Sequence, residues 1–146
     1  MYLAVIVLTM LALPLLATVL ELAVGGGAPA AVALGWFVVF GIGVRLLLAG
    51  LKQMAQPDFT ARLLDIADPR ARVVIRELGF ANTSIALLAL LSVVSPAFTV
   101  PAAVTGALFF GLAGLQHATV KARNGKETIA MVSDLALAAL LLARIG

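Results

Sequence analysis

Residues 101–120, PAAVTGALFFGLAGLQHATV, contain no Asp, Glu, Lys or Arg. As a helix rising 1.5 Å per residue, this stretch crosses the roughly 30 Å hydrocarbon core of a bilayer. Ala103, Ala107, Gly111, Gly114 and Ala118 form a stripe of small residues along it. In lipid, helix association rests on close packing, and such a stripe lets backbones approach. The spacing predicts that this helix stands at the centre of a bundle and packs with the spans on either side of it in sequence. Four more stretches qualify or nearly qualify as spans: residues 2–24, broken by Pro14 and closing on Glu21; residues 30–51, interrupted by Arg45; residues 78–94; and residues 128–143. The expected fold is all-α, a polytopic transmembrane helix bundle of five spans, four forming a core with the N-terminal helix added. Residues 1–146 make a single domain, with no longer-period repeat or low-complexity tract.

The composition agrees. Apolar types are 63% of the 146 residues and charged types 12%, against globular norms of about half and about a quarter. Mean hydropathy is +1.15. A soluble domain this small leaves much of its surface in water and has no place to bury so much apolar area. With no cysteine, disulfides, thiolate nucleophiles, iron–sulfur clusters and thiol relays are excluded. One histidine is too few for a histidine-rich metal site. The net charge of +3 points to topology rather than to nucleic acid, because the basic residues gather in particular connectors.

Residues 25–29 and 95–100 carry no Lys or Arg. The connector between spans two and three carries Lys52, Arg62, Arg70, Arg72 and Arg76; that between spans four and five carries Lys121, Arg123 and Lys126. Strict alternation puts both basic connectors on one side, which the positive-inside rule makes cytoplasmic. The N-terminus is then cytoplasmic and the C-terminus, with Arg144, periplasmic, in a bacterial inner membrane. Span one lacks the basic start of a signal peptide, although Ala28-Pro29-Ala30 resembles a cleavage site. Treating it as a peripheral helix would leave the other orientations unchanged. Within the first basic connector, Asp58 is expected to cap a short surface helix carrying Phe59 and Leu63. Asp68-Pro69 should start the third long helix, and Asn124-Gly125 signals a tight turn between spans four and five.

Polar residues inside a span are expensive and mark sites or networks. Arg45 stands seven residues before Lys52 and Asp134 seven after Glu127, each about 10 Å into the membrane. His117, four residues before Lys121, is about 6 Å in. Glu77 and Asn82 lie near the start of span three. The five converge on the cytoplasmic half, and His117 and Asp134 should make a direct or bridged polar contact, completed by Arg45 or Asn82. Glu77 and Asn82 are five apart, about 140° around a helix, so they cannot both face one spot. Each residue also has a structural reading: Arg45 reaching to the interface, Glu77 pairing with Arg72 or Arg76, Asn82 bridging helices, Asp134 as counter-charge to Arg45 or His117, and His117 as a buried donor to Asp134.

The stretch from Arg76 through Glu77-Leu78-Gly79-Phe80-Ala81-Asn82, followed by Phe109-Phe110-Gly111-Leu112-Ala113-Gly114-Leu115-Gln116-His117, resembles a group of small bacterial membrane proteins of unassigned function that look allied to the DoxX-like family. The pattern there is E-x-G-x-A-N opening one helix and a Gly-rich helix ending in His. An Asn in the next turn and an Asp in the last helix follow, here Asn124 and Asp134. The resemblance covers about residues 34–142. It implies association with membrane redox complexes and quinone-linked oxidation, without a thiol in this chain. DoxX-like proteins usually have four spans, so span one is an addition.

Three functions remain open. The first is a binding or accessory subunit of a larger membrane complex or homo-oligomer. It would hold a quinone, lipid or similar amphipathic ligand in a cytoplasmic-side polar pocket of Arg45, Glu77, Asn82, His117 and Asp134. The second is a membrane-embedded enzyme with His117 as general acid/base, Asp134 orienting it, and Asn82 or Arg45 as donor to an oxyanion or headgroup. The third is a transporter using Glu77, His117 and Asp134, although no inverted repeat is visible.

Overall fold

Four of the long helices begin or end at or near a proline or a left-handed glycine. The computed structural model describes residues 2–119 and 125–145. Helix α1 (Leu3–Ala23) stops at Gly25, whose φ of +86° is open to glycine at little cost. There Gly26 N–H donates to the Glu21 carbonyl at 2.9 Å and Gly25 N–H to that of Leu22 at 3.2 Å, the paired bonds of a Schellman stop. Helix α2 (Pro29–Ala55) opens on Pro29, whose missing N–H is an orphan at that position in any case, and closes before Pro57. The short helix α3 (Pro57–Leu63) follows. Then come α4 (Ala71–Val93) and α5 (Pro96–Thr119), and α6 (Gly125–Ile145). The Asn124 half of the expected turn lies outside the described residues, as do Lys121 and Arg123; Gly125 opens α6.

Helices α1, α2, α4 and α5 are long and apolar enough to cross a membrane. The fifth expected span, residues 128–143, lies within α6, a helix of 21 residues. Among the described residues the fold is helical throughout, as the sequence predicts. Outward-facing leucines and valines such as Leu16, Val19, Leu108 and Leu112 are more than half exposed, a surface suited to lipid tails rather than to water.

Two corrections concern the ends of the connector helices. Asp58 sits in the first turn of α3, after a cap at Gln56, where its carboxylate still suits the helix dipole. Its side chain pairs with Arg72 of α4. The third long helix starts at Ala71 rather than Pro69; Asp68 Oδ1 accepts the Arg70 N–H at 2.8 Å, closing a turn just ahead of it.

The centre of the bundle is α2, not α5. Half of the α2 span is buried against a third of that of α5, and Val38 and Ile42 of α2 are wholly covered. Helix α2 touches α1, α4, α5 and α6. The small residues of α5 do bring neighbours close: Gly106 lies against Ile42 of α2, and Gly114 against Leu135 of α6. They serve two neighbours from one side of α5 and leave its leucines on the outside. Helix α5 packs along α6, and α4 packs mainly on α2. The expected three-helix cluster of spans three, four and five is therefore two pairs, α2–α4 and α5–α6, with α1 against α2.

The α2–α4 pair is built on a regular seam. Ile75, Gly79, Asn82, Ala86 and Ala89 are buried at alternating spacings of four and three, the repeat of coiled-coil packing. Gly79 faces Gly50 of α2 so closely that a Cβ on Gly79 would stand 3.0 Å from the Gly50 carbonyl oxygen.

Candidate functional site

Arg45 enters the core because of what precedes it. Residues Phe37–Val44 of α2 form a π-helical segment, a geometry often found beside functional residues. A second π segment, Leu8–Ala12 of α1, lies just before Pro14, whose ring and missing N–H disrupt the regular ladder. The two segments touch. They place Met10 of α1 against Arg45 of α2.

The Arg45 guanidinium is held by three other helices. Nη2 donates to Asp134 Oδ1 of α6 at 2.6 Å, with the two side chains only 12% and 8% exposed. Nη1 points at the Met10 sulfur at 2.7 Å. The guanidinium carbon lies 4.7 Å from the centroid of the Phe110 ring of α5, a cation–π contact strengthened by desolvation. Ser133 Oγ stands at the edge of the group, 3.5 Å from Nη2 and 3.4 Å from Asp134 Oδ1, with its own proton given to the Ala130 carbonyl at 2.9 Å. Arg45 is ten residues from Ala55, about 15 Å along the helix, and Asp134 nine from Gly125, about 14 Å. Both ends of the ion pair thus lie near the middle of their helices.

His117 follows Phe110 by two turns on α5. It is half-buried and near enough to Asp134 to act on its carboxylate electrostatically. The register of the α5–α6 pair explains this. Gly114 faces Leu135 and Gly111 faces Ala138, so the helices run antiparallel and bring residue 117 beside the turn that holds Asp134. Of the five residues expected together, Arg45, Asp134 and His117 form this group. Asn82 belongs elsewhere, in the α2–α4 seam, where its Nδ2 donates to Gln53 Oε1 at 2.8 Å. Its Oδ1 and the neighbouring Thr83 Oγ1 are buried without a hydrogen-bond partner. Glu77 is exposed on the outer face of α4, as the 140° separation from Asn82 requires.

A cleft of about 430 Å³ runs between α1 and α6, lined by Ile6, Met10, Phe37, Val132, Ser133 and Leu137 among others. Two of these, Met10 and Ser133, are also neighbours of Arg45. The cleft is lined almost wholly by apolar groups, and the Arg45–Asp134 pair stands behind it, reached through Met10 and Ser133. Sequence reasoning missed Met10 because a thioether in an apolar run has no polar signature. Ser133 was findable as the residue beside a buried aspartate. Among the described residues, no three His, Asp or Glu side chains come together as a metal site.

No curated protein and no solved structure matches the chain. The family match does not link the chain to DoxX-like proteins. That match runs over residues 4–145, nearly the whole bundle and both partners of its buried ion pair, and the chain belongs to the family described as Family of unknown function (DUF6790).

Proposed function

We propose that the chain is a five-span protein of the bacterial cytoplasmic membrane that binds an uncharged amphipathic molecule, of the quinone or lipid class, in the cleft between α1 and α6. It acts as a binding or accessory subunit of a membrane complex. The N-terminus is cytoplasmic and the C-terminus periplasmic, on the sorting of Lys and Arg between connectors. The carrying observation is that the cleft shares Met10 and Ser133 with the environment of Arg45.

The apolar lining of the cleft and the ion pair behind Met10 and Ser133 select the ligand. Arg45 and Asp134 together are neutral, so a ligand with a full charge would sit uncompensated in a medium where charge is costly. The acceptor now facing Arg45 Nη1 is a thioether, a weak one. A carbonyl or hydroxyl oxygen is a better acceptor, and a ligand head supplies one where Met10 moves aside; methionine is flexible enough to do so. The resemblance of residues 76–82 and 109–117 to DoxX-like proteins favours a quinone over a glycerolipid.

The test is binding to the purified protein in nanodiscs of zwitterionic lipid. Three probes distinguish the sources: a short-chain benzoquinone, a short-chain diacylglycerol, and an anionic phospholipid. The expected result is saturable binding of the benzoquinone, weakened at least tenfold by Ala136→Phe, which fills the cleft without touching the ion pair. Binding of the diacylglycerol alone makes the lipid the ligand. Binding of neither uncharged probe, or binding indifferent to Ala136→Phe, overturns the proposal. Turnover of a bound probe, abolished by His117→Gln, would replace it with the enzyme reading.

A further inference from the structure

At the end of the bundle opposite the basic connectors, Glu21 closes the last turn of α1. Its Oε2 accepts the indole N–H of Trp36 at 2.7 Å. Among the described residues Trp36 is its hydrogen-bond partner, and no described Lys or Arg pairs with it. The connectors at this end, residues 25–28 and 94–95, supply no Lys or Arg. Phe40, one turn further along α2, stacks on Trp36 with ring centroids 5.6 Å apart and braces the indole.

Beside this pair lies a cavity of about 360 Å³ lined by Glu21, Ala31, Gly35, Trp36, Ser92 and Thr99 among others, drawn from α1, α2 and the α4–α5 corner. It shares no residue with the α1–α6 cleft. A Cβ built on Gly35 meets nothing within 4 Å, so the space is open on the α2 side. The side chains that line it are apolar apart from the Ser92 and Thr99 hydroxyls, the Trp36 indole N–H and the Glu21 carboxylate, its one charge.

We propose that this cavity is a second binding site, for a small organic cation with an apolar body, an ammonium that lies against the Glu21 carboxylate and over the face of the Trp36 ring beside it. A carboxylate at a membrane edge without a counter-charge attracts a cation, and an indole face favours an alkylated ammonium over a hydrated metal ion. A metal ion would require several oxygen ligands, and one carboxylate with two hydroxyls does not supply them. A neutral guest would leave the carboxylate uncompensated. The volume falls within the range of small-ligand sites.

Trp36 is the single tryptophan of the chain, so its fluorescence reports on this cavity alone. The probe is benzyltrimethylammonium, and its neutral isostere neopentylbenzene is the control, with the full chain in zwitterionic nanodiscs. The expected result is a saturable change in Trp36 emission with the cation and none with the isostere. Glu21→Gln, which keeps an acceptor for the indole N–H, weakens the response at least tenfold. Gly35→Leu, which fills the cavity from α2, does the same and serves where Glu21→Gln fails to fold by size-exclusion chromatography. An equal response to neopentylbenzene, no saturable response, or full affinity in the folded variants overturns the proposal. So does binding that appears only after Arg144→Gln, which would mean that the chain's own arginine fills the site.

Discussion

Arg45 draws its partners from α1, α5 and α6, so one side chain ties together helices that are far apart in sequence. Its role and that of Asp134 were visible in the sequence, because a charge in an apolar run has to find a partner. Which partner was not visible: depth along a helix says nothing about azimuth, and His117 was an equally good candidate for Asp134. Met10 was hidden entirely, and the Glu21–Trp36 bond was hidden because both residues pass as ordinary interface anchors. The ion pair makes a sharp prediction. Removing one partner leaves the other charged and buried, a loss of about 3–5 kcal/mol, whereas replacing both by apolar residues of similar size is often neutral or better. Arg45→Leu alone should therefore lower the thermal midpoint in detergent severely, and Arg45→Leu combined with Asp134→Leu should restore most of it. If the double variant is as unstable as the single one, Arg45 holds the fold through Met10 and Phe110 rather than through charge.

The helices as elements were largely legible. Hydropathy located four of the five long helices to within about five residues at each end, because a spanning segment has to be apolar; the charged first two turns of α4, from Ala71 to Glu77, lay outside its apolar stretch. The π segments were not legible. Pro14 explains the one in α1, but no residue type marks Phe37–Val44 in advance. The order of packing was misread for a physical reason: a stripe of small residues shows that a backbone can be approached closely, not that the helix is surrounded. The glycines now separate into two kinds. A Cβ on Gly79 would press on the Gly50 carbonyl, and one on Gly50 would stand 2.8 Å from the Gly79 carbonyl, so neither neighbour can give way. A Cβ on Gly111 would meet Ala138 at an ordinary 3.6 Å. Gly79→Ala should destabilise by about 1–3 kcal/mol, the usual penalty of overpacking. Gly111→Ala should be neutral or stabilising by up to about 1 kcal/mol, from helix propensity. Thermal unfolding of the two variants side by side checks this. Equal losses would mean that the α2–α4 crossing has slack.

At the scale of the molecule, the two ends of the bundle differ in chemistry. One carries the basic connectors with Lys52, Arg62, Arg70, Arg72 and Arg76; the other carries Gly25, Gly26, Gly27 and the Glu21–Trp36 pair. Helix α6 decides how the chain is threaded between them. It runs antiparallel to α5, with Gly111 facing Ala138 and Gly114 facing Leu135, and its Asp134 meets Arg45 near the middle of α2. That position beside α2 and α5 supports the proposed reading of α6 as a fifth span. Its 21 residues rise about 31 Å, enough to cross the hydrocarbon core. The five crossings proposed above, with the basic connectors in the cytoplasm, would put the two termini on opposite sides. A reporter fused after Gly146 should therefore give a periplasmic signal, and one fused within the connector after Leu63 a cytoplasmic signal. Shifting the bias tests the cause: replacing Arg70, Arg72 and Arg76 by Gln, with Lys added to residues 25–28, should yield a mixed population. A cytoplasmic signal after Gly146 in the native chain would mean that α6 does not cross. A reporter at the N-terminus tests α1 separately, because it reads cytoplasmic only when α1 spans.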